Sequence, residues 1–352
     1  MDESNYTDIS DPIWKDEAFP HFFRNEDYIA PLEEKLKQSA LALKKMESPN
    51  DYKDLIISEV YDNSIIEGIK LSRDTIKKSL IVNIVGSTKS RERSALELLN
   101  LAVDNKSLPL TNDLIKTMHR TLFNDSKAGQ YNGDLKIVKE TSYGVGEIVD
   151  RGLPKARVDE GMDDFVKIYN QSRPATPLFN VLRAHLHFEK IHPFFDGNGR
   201  VGRAIMNMRL MHDLGLQVPI AISRAIRNNS DDYYQSFEGK SLDLTERLKT
   251  YSAIIEEGIQ ETLRMASIAQ LRNHAYAAGM NERQTQVFER LCFYELEEGF
   301  KGKFTNETYQ KMAHMSDQKK TATRDLTDLV TKNILQVTGT RGGAHYTLSL
   351  TD

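Results

Sequence analysis

The sequence predicts a mostly helical, all-α chain that carries one small β-hairpin and ends in a winged-helix-like domain. Three observations support this. Apolar residues recur at helical spacing through most of the chain before residue 280. Between Leu135 and Val149 the texture changes to Val, Ile, Thr and Tyr with Gly144 and Gly146, as two short strands and a turn require. Beyond residue 280, three helical segments precede two β-like runs around a glycine turn, which is the order of a winged helix.

Leu32, Leu36, Ala40 and Leu43 share one face of a charged helix, and Leu55, Ile56, Val60, Ile65 and Ile66 belong to another. Helical patterns continue over Ser94–Ala102, Thr111–Leu122 and Val158–Gln171. Thr176-Pro177 reads as an N-cap followed by proline at the first helical position. That helix places Leu178, Val181, Leu182, His185 and Phe188 on one stripe and leads to His192. The next starts at Gly199 and stops near Leu214-Gly215, where glycine takes the left-handed cap. The polar run Ala266–Asn281 reads as a connector. Helices follow at Arg283–Tyr294, Asn306–Met315 and Thr321–Leu335, then Gln336-Val337-Thr338, a turn over Thr340–Gly343 and a strand to Leu348. Pro12-Ile13-Trp14 and Phe19-Pro20-His21-Phe22 suggest an ordered aromatic arm.

With 352 residues, the chain is long enough for one large domain or two to three ordinary ones. A formal charge of −4 and a pI near 6.2 argue against a dedicated nucleic-acid or anionic-membrane binder, leaving only local patches. Cys292 is the only cysteine, so the chain has no internal disulfide and no cysteine-based zinc site. The acidic, polar Met1–Asp11 is unlike a signal peptide. The most apolar window, Val201–Ile222, is broken by Arg203, Arg209, His212 and Asp213, so no membrane span is expected. Cytoplasmic residence is the default expectation.

The segment His192-Pro193-Phe194-Phe195-Asp196-Gly197-Asn198-Gly199-Arg200-Val201-Gly202-Arg203 concentrates the chemistry. Gly197 and Gly199 free the backbone to converge amide hydrogens at a helix start, which is a ready anion site. Arg200, Arg203 and Asn207 fall on one helix face, opposite Val201, Ala204, Ile205 and Met208. Two guanidiniums beside such a nest suit a polyphosphate. Asp196 can supply the lone carboxylate of a magnesium site that phosphates and water complete. His192 titrates near neutrality and can act as general base.

These residues match the motif of the Fic family (filamentation induced by cyclic AMP), His-x-Phe-x-Asp/Glu-Gly-Asn-Gly-Arg-x-x-Arg, at every fixed position. The resemblance covers Leu108 to Ile259. It implies a helical core with a hairpin flap and transfer of AMP from ATP, with Mg²⁺, to a Ser, Thr or Tyr hydroxyl of a protein, self-modification included. By that likeness His192 deprotonates the hydroxyl and Asp196 holds Mg²⁺. Gly197, Asn198, Gly199 and Arg200 cradle the phosphates, and Arg203 orients the γ-phosphate. Tyr233 and Tyr234 resemble the tyrosines of the adenine pocket, with Ser241 where relatives carry asparagine. The hairpin at Leu135–Val149 takes the place of the flap that aligns the target. Asn63-Ser64-Ile65-Ile66-Glu67-Gly68 resembles the family's inhibitory motif, Ser/Thr-x-x-x-Glu-Gly/Asn, with Asn63 in place of Ser/Thr. Glu67 would then pair with Arg203 and deny it to the γ-phosphate.

The domain expectation is a regulatory helical region at 1–107, a catalytic domain at 108–265 and the winged-helix-like domain at 266–352. The expected partners are ATP and a target protein the sequence does not identify. A homo-oligomer is left open, and removal of AMP or transfer of another nucleotide stays open on the same fold. A metal hydrolase built on His185, His187 and His192 lacks ligand spacing, since the first two point to different helix faces. A DNA-binding regulator acting through 281–348 is the competing class, carried by Lys319, Lys320, Arg324, Lys332 and Arg341 and diluted by Asp317, Asp325 and Asp328.

Overall fold

A computed structural model describes residues 6–8, 23–45, 52–81, 90–133, 136–140, 146–171, 176–236, 243–298, 303–315, 317–339 and 343–350. The aromatic arm at 12–22, Gly144, Ser241 and Arg341 lie outside the described residues. The chain divides into two units, Met1–Thr262 and Leu263–Asp352.

In the first unit, strands β1 (Tyr6–Asp8) and β2 (Phe23–Asn25) pair antiparallel, a pairing the sequence did not suggest. Helices α1 (Glu26–Lys45), α2 (Lys53–Ile65), α3 (Arg73–Ile81), α4 (Arg91–Asp104) and α5 (Asn112–Leu122) follow. Strands β3 (Lys136–Glu140) and β4 (Gly146–Arg151) form the expected hairpin, with a register shift at Ile137/Val138. Then come α6 (Lys155–Gln171), α7 (Pro177–Ile191), α8 (Asn198–Leu214), α9 (Ile222–Asn228), α10 (Ser230–Gln235) and α11 (Thr245–Ala277).

Local chemistry sets most of these ends. The hydroxyls of Ser90 and Thr111 accept from the Arg93 and Leu114 amides at 3.2 and 3.1 Å, capping α4 and α5. Gly215, at φ 63°, closes α8. α7 departs from expectation. Thr176 stands at its N-cap but makes no side-chain cap bond. Instead the buried Glu33 carboxylate of α1 accepts from the Leu178 and Phe179 amides at 2.9 and 3.0 Å. An anion at a helix N-terminus gains both the orphan donors and the dipole, which a hydroxyl cannot match.

The core forms around α8. Val201, Ala204, Ile205 and Met208 pack with Phe188 and Ile191 of α7, Phe165 of α6, Met118 of α5 and Leu98 of α4. Each such buried side chain contributes about 1.5–3 kcal/mol. A second cluster joins Ile57 and Val60 of α2 to Ile76 of α3 and to Leu96 and Leu99 of α4. Helices α2, α3 and α4 therefore belong to the same unit as the central region.

The expected connector at Ala266–Asn281 is instead the end of α11. Met265, Ala266, Ile268, Ala269, Leu271 and Ala275 are buried at helical spacing, an apolar stripe hidden among polar residues.

In the second unit, α12 (Glu282–Glu298), α13 (Asn306–Met312) and α14 (Lys319–Thr331) precede strands β5 (Leu335–Thr338) and β6 (His345–Leu348). The hairpin pairs Leu335 with Leu348 through to Thr338 with His345, and Phe304 bridges to Tyr346. α14 stops short of the expected Leu335 because Asn333 turns the chain at φ 55°. No helix among the described residues is long and apolar enough to cross a membrane.

Candidate active site

His192 is the C-cap of α7, in the left-handed region at φ 51° and ψ 58°. A non-glycine residue there costs about 1–3 kcal/mol, so its surroundings must impose it. The His192 amide donates to the Phe188 carbonyl at 3.0 Å. Leu153 N–H donates to Ile191 and Asn132 N–H to Pro193, at 3.1 and 2.7 Å. Gly152, directly after β4, lies so close that a β-carbon there would come within 2.8 Å of the His192 Cβ. The base of the hairpin thus clamps the histidine. Burial pushes its imidazole down to about 4, while the Glu189 carbonyl, Glu67 and Asp196 pull the other way. Its buried Nδ1 makes no hydrogen bond of ordinary geometry despite that carbonyl. At neutral pH the ring is an uncharged proton acceptor.

Four residues on, the chain turns into α8. Gly197 sits at φ 80°, and a β-carbon there would press on the Phe123 ring at 3.0 Å. The first-turn amides of Asn198, Gly199 and Arg200 have no intrahelical acceptor and face outward along the axis. The Asn198 side chain, however, is spent on the turn itself. Its Oδ1 accepts from Phe194 N–H at 2.8 Å and its Nδ2 donates to the Phe194 carbonyl at 2.6 Å. The Asn198 backbone amide is what this residue leaves for an anion. Arg200 is buried over Phe123, 5.2 Å from the ring centroid and 3.4 Å from Asp196.

The Asp196 carboxylate is 59% exposed, and its Oδ1 accepts from the Gly197 amide. Among the described residues no group of three or more His, Cys, Asp or Glu could hold a metal alone. A single open carboxylate beside an anion site fits Mg²⁺ shared with phosphates and water.

Arg203 is 1% exposed and fully engaged. Its Nε donates to Asn63 Oδ1 at 2.7 Å, and one Nη donates to the Asn63 carbonyl at 3.1 Å and to Glu67 Oε1 at 2.7 Å. Burial alone would lower the Arg203 pKa, but the Glu67 charge reverses that and holds the guanidinium protonated. α2 ends in a Schellman arrangement: Gly68, at φ 69°, donates to Ile65, and Ile69 donates to Ser64. That stop leaves Glu67 projecting at the start of α8, where a β-carbon on Gly199 would collide with its Oε1. Its carboxylate therefore lies beside the first turn of the helix, against Gly199 and on Arg203. Asn63, the departure from the Ser/Thr pattern, bonds Arg203 directly, whereas Ser64 Oγ only donates back to Val60.

Residues 109–210 match the Fic/DOC family model. That segment is a Fic/DOC domain. Over 82 residues the chain is 38% identical to a Fido domain-containing protein of Dictyostelium discoideum, an alignment covering 22% of this chain and 54% of that one. The chain spans about half the length of that relative. Its fold is similar to that of a Fic family protein from Desulfovibrio desulfuricans G20, with a TM-score of 0.55 and 18% identity over 91% of this chain and 95% of the other. A Fic domain-containing signaling protein from Bacteroides thetaiotaomicron VPI-5482 gives a TM-score of 0.50 and 20% identity over 67% and 96% of the two chains. Fic-1 from C. elegans gives 0.50 and 21% over 68% and 74%.

The first unit brings His192, Asp196, Gly197, Gly199, Arg200, Arg203 and Glu67 together. It treats the two tyrosines differently. Tyr233 is 2% exposed, its hydroxyl 2.7 Å from His185 Nε2 and its ring packed beside Tyr251, so it is an interior residue of the site's wall. Tyr234 is half-buried and stands edge-on to it at 5.2 Å. Both phenols are near enough to act on the Arg203 charge.

Two residues of the site are not apparent in the sequence. His119 stacks on Phe194 at 3.9 Å, accepts from the Gly129 amide at 2.8 Å through Nδ1, and meets the Asp196 carbonyl at 3.0 Å through Nε2. The Gly129 bond requires a bare Nδ1, so the proton sits on Nε2 and donates to Asp196. Burial lowers the His119 pKa, in keeping with that neutral ring. Glu189 is buried beside Gly202 with an unpartnered Oε1. Burial lifts its carboxyl to about 8, against the pull of Arg203. Nothing in the spacing of either residue distinguishes it from ordinary core.

Proposed function

We propose that the Fic domain transfers AMP from ATP to a Ser, Thr or Tyr hydroxyl of a target protein, its own chain included, and that Glu67 restrains it. One observation carries this reading: a neutral imidazole at the edge of a glycine-lined helix N-terminus, with Arg203 beside it already paired to the Glu67 carboxylate.

In the productive arrangement, the triphosphate lies along the amides of Gly197 to Arg200, with Arg203 on the γ-phosphate. Asp196 would hold Mg²⁺, which supplies neutralising charge to the phosphates when bound. His192 accepts the target's hydroxyl proton, and the oxygen attacks the α-phosphorus. A new O–P bond forms as the bond to the β-phosphate oxygen breaks, and pyrophosphate leaves with the electron pair. The clamp between Gly152 and His192 ties the base's position to the β3–β4 hairpin, whose edge can pair with an extended target segment. Tyr234 is the better placed of the two tyrosines to meet an adenine. Glu67 opposes all this, because its carboxylate and the γ-phosphate compete for the Arg203 guanidinium.

The test is incorporation of labelled ATP with Mg²⁺, with labelled UTP and GTP in parallel. Glu67→Gly should raise self-modification at least tenfold and His192→Ala should abolish it. Equal labelling in wild type and Glu67→Gly would remove the brake, and labelling in His192→Ala would remove the base. Loss of pre-installed AMP that depends on Glu67 would favour the hydrolytic direction on the same site.

A further inference from the structure

The second unit carries a surface that the transfer reaction does not use. α13 and α14 follow each other through a tight turn in which His314 and Asp317 take positive φ, and α14 presents its outer face to solvent. Lys319, Lys320, Thr323, Arg324, Thr327 and Thr331 are all exposed and fall on one helical stripe. Among the described residues, Lys319, Lys320 and Arg324 have no ion-pair or hydrogen-bond partner for their side chains. The other described arginines of this unit are engaged: Arg264 and Arg272 with Glu295 and Glu289, Arg283 with Asp325, and Arg290 with Met312 and His314.

Of the acidic residues that dilute this segment in the sequence, Asp325 points inward and Asp328 is paired at the edge of the stripe. Asp325 is buried, bonded by Arg283 at 3.1 and 3.2 Å and by the Tyr309 hydroxyl at 3.1 Å. Asp328 accepts from Gln284 at 2.8 Å and from Lys332 at 2.7 Å. Asp317, before α14, is the exposed carboxylate beside the stripe, whereas the partly exposed Asp328 is held by Lys332. The threonine hydroxyls donate to carbonyls one turn back, which leaves their methyl groups and lone pairs outward.

We propose that α14 is a duplex-DNA-binding helix whose exposed stripe enters the major groove. Three unpaired cations on the outer face of the second helix of a helix-turn-helix provide phosphate neutralisation and a fork for purine edges. The β5–β6 hairpin that follows exposes Gln336 and Thr338 as a wing would. Duplex RNA is the poorer fit, because its narrow major groove does not admit a helix.

The experiment is fluorescence anisotropy of the full chain with a labelled mixed-sequence duplex, between about 50 and 200 mM salt. Binding at the lower salt is expected, weakening steeply as salt rises. The triple variant Lys319→Gln, Lys320→Gln, Arg324→Gln should lose more than tenfold in affinity and reduce the log–log salt slope by about 3. Should the triple variant melt early, the single changes Lys320→Gln and Arg324→Gln, each worth about one unit of slope, carry the same test. Asp317→Asn should tighten binding. Absence of binding at low salt, an unchanged slope in the variants, or equal affinity for an RNA duplex would overturn the proposal. The outcome is independent of nucleotide transfer, since none of these residues belongs to the Fic site.

Discussion

At the scale of single residues, the site depends on side chains that never touch substrate. His119 is a positioning residue: one nitrogen takes the Gly129 amide and the other holds the Asp196 carbonyl, so Asp196 hangs from an imidazole stacked on Phe194. His119→Phe keeps the stack and removes both bonds. A buried donor and acceptor left unpaired cost about 1–3 kcal/mol each, so the melting temperature should fall. A purely structural role would stop there. Positioning predicts in addition that Mg²⁺ affinity in the presence of ATP drops about tenfold, because a displaced ligand loses its geometry, and titration calorimetry reads this directly. His192 itself, held near pKa 4 by burial, should show imidazole shifts of the neutral ring down to pH 6. A midpoint near 6.5 would mean that it is solvated, not clamped.

At the scale of elements, α2 is the lever that sets Glu67, and α9 is its mount. Glu59 accepts from Ser223 N–H at 3.0 Å and its hydroxyl at 2.7 Å, and from Asn207 at 3.0 Å. Asp62 takes Arg224 at 3.1 Å, Arg227 beside it, and Arg73 of α3 at 3.7 Å. Asp62→Asn strips the charge that these guanidiniums face, a loss of about 3 kcal/mol for a buried partner. The freed α2 should then seat Glu67 less often, and self-modification should rise in an otherwise unaltered chain. Combined with Glu67→Gly it should add nothing, since both act on one restraint; additive effects would show that Asp62 acts elsewhere. The same elements show what a sequence can disclose. The stretch from His192 to Arg203 was legible because its chemistry is contiguous, and α8 because its apolar and polar faces alternate at one period. Asn63 was ambiguous because the motif names Ser or Thr, whereas the geometry asks only for an acceptor oxygen facing Arg203. Glu33 capping α7 lies 145 positions from its partner, where no periodicity reaches. The end of α11 was misread because its small buried residues, Ala266, Ala269 and Ala275, are diluted by polar neighbours.

At the scale of the molecule, the first unit buries ionisable groups of both kinds, and their shifts pull stability in opposite directions with pH. Burial pushes His185 and His187 down to about 3 and His192 to about 4. Their folded pKa values lie below the unfolded value of 6.5, so the unfolded chain takes protons first and stability falls as pH drops below 6.5. Burial also lifts Glu59 to about 7 and Glu189 to about 8. Their folded values lie above the unfolded 4.5, so their contribution is complete below 4.5 and is lost as pH rises toward 8. Between 4.5 and 6.5 the three imidazoles outweigh the two carboxyls by about one proton, which places the stability maximum near pH 6.5 with a decline on either side. Glu59 is matched by Ser223 and Asn207, whereas Glu189 has a buried oxygen with no partner, so the alkaline decline should depend mainly on Glu189. Glu189→Gln keeps the shape and removes the titration. It should therefore flatten the fall in melting temperature between pH 6.5 and 8, recovering on the order of a few kcal/mol at the upper end, and leave the acid limb untouched. Thermal unfolding followed by circular dichroism across pH 4 to 9 decides this. An alkaline limb as steep in Glu189→Gln as in wild type would mean that Glu189 reaches water, and that the wall of Arg203 is wetter than its burial indicates.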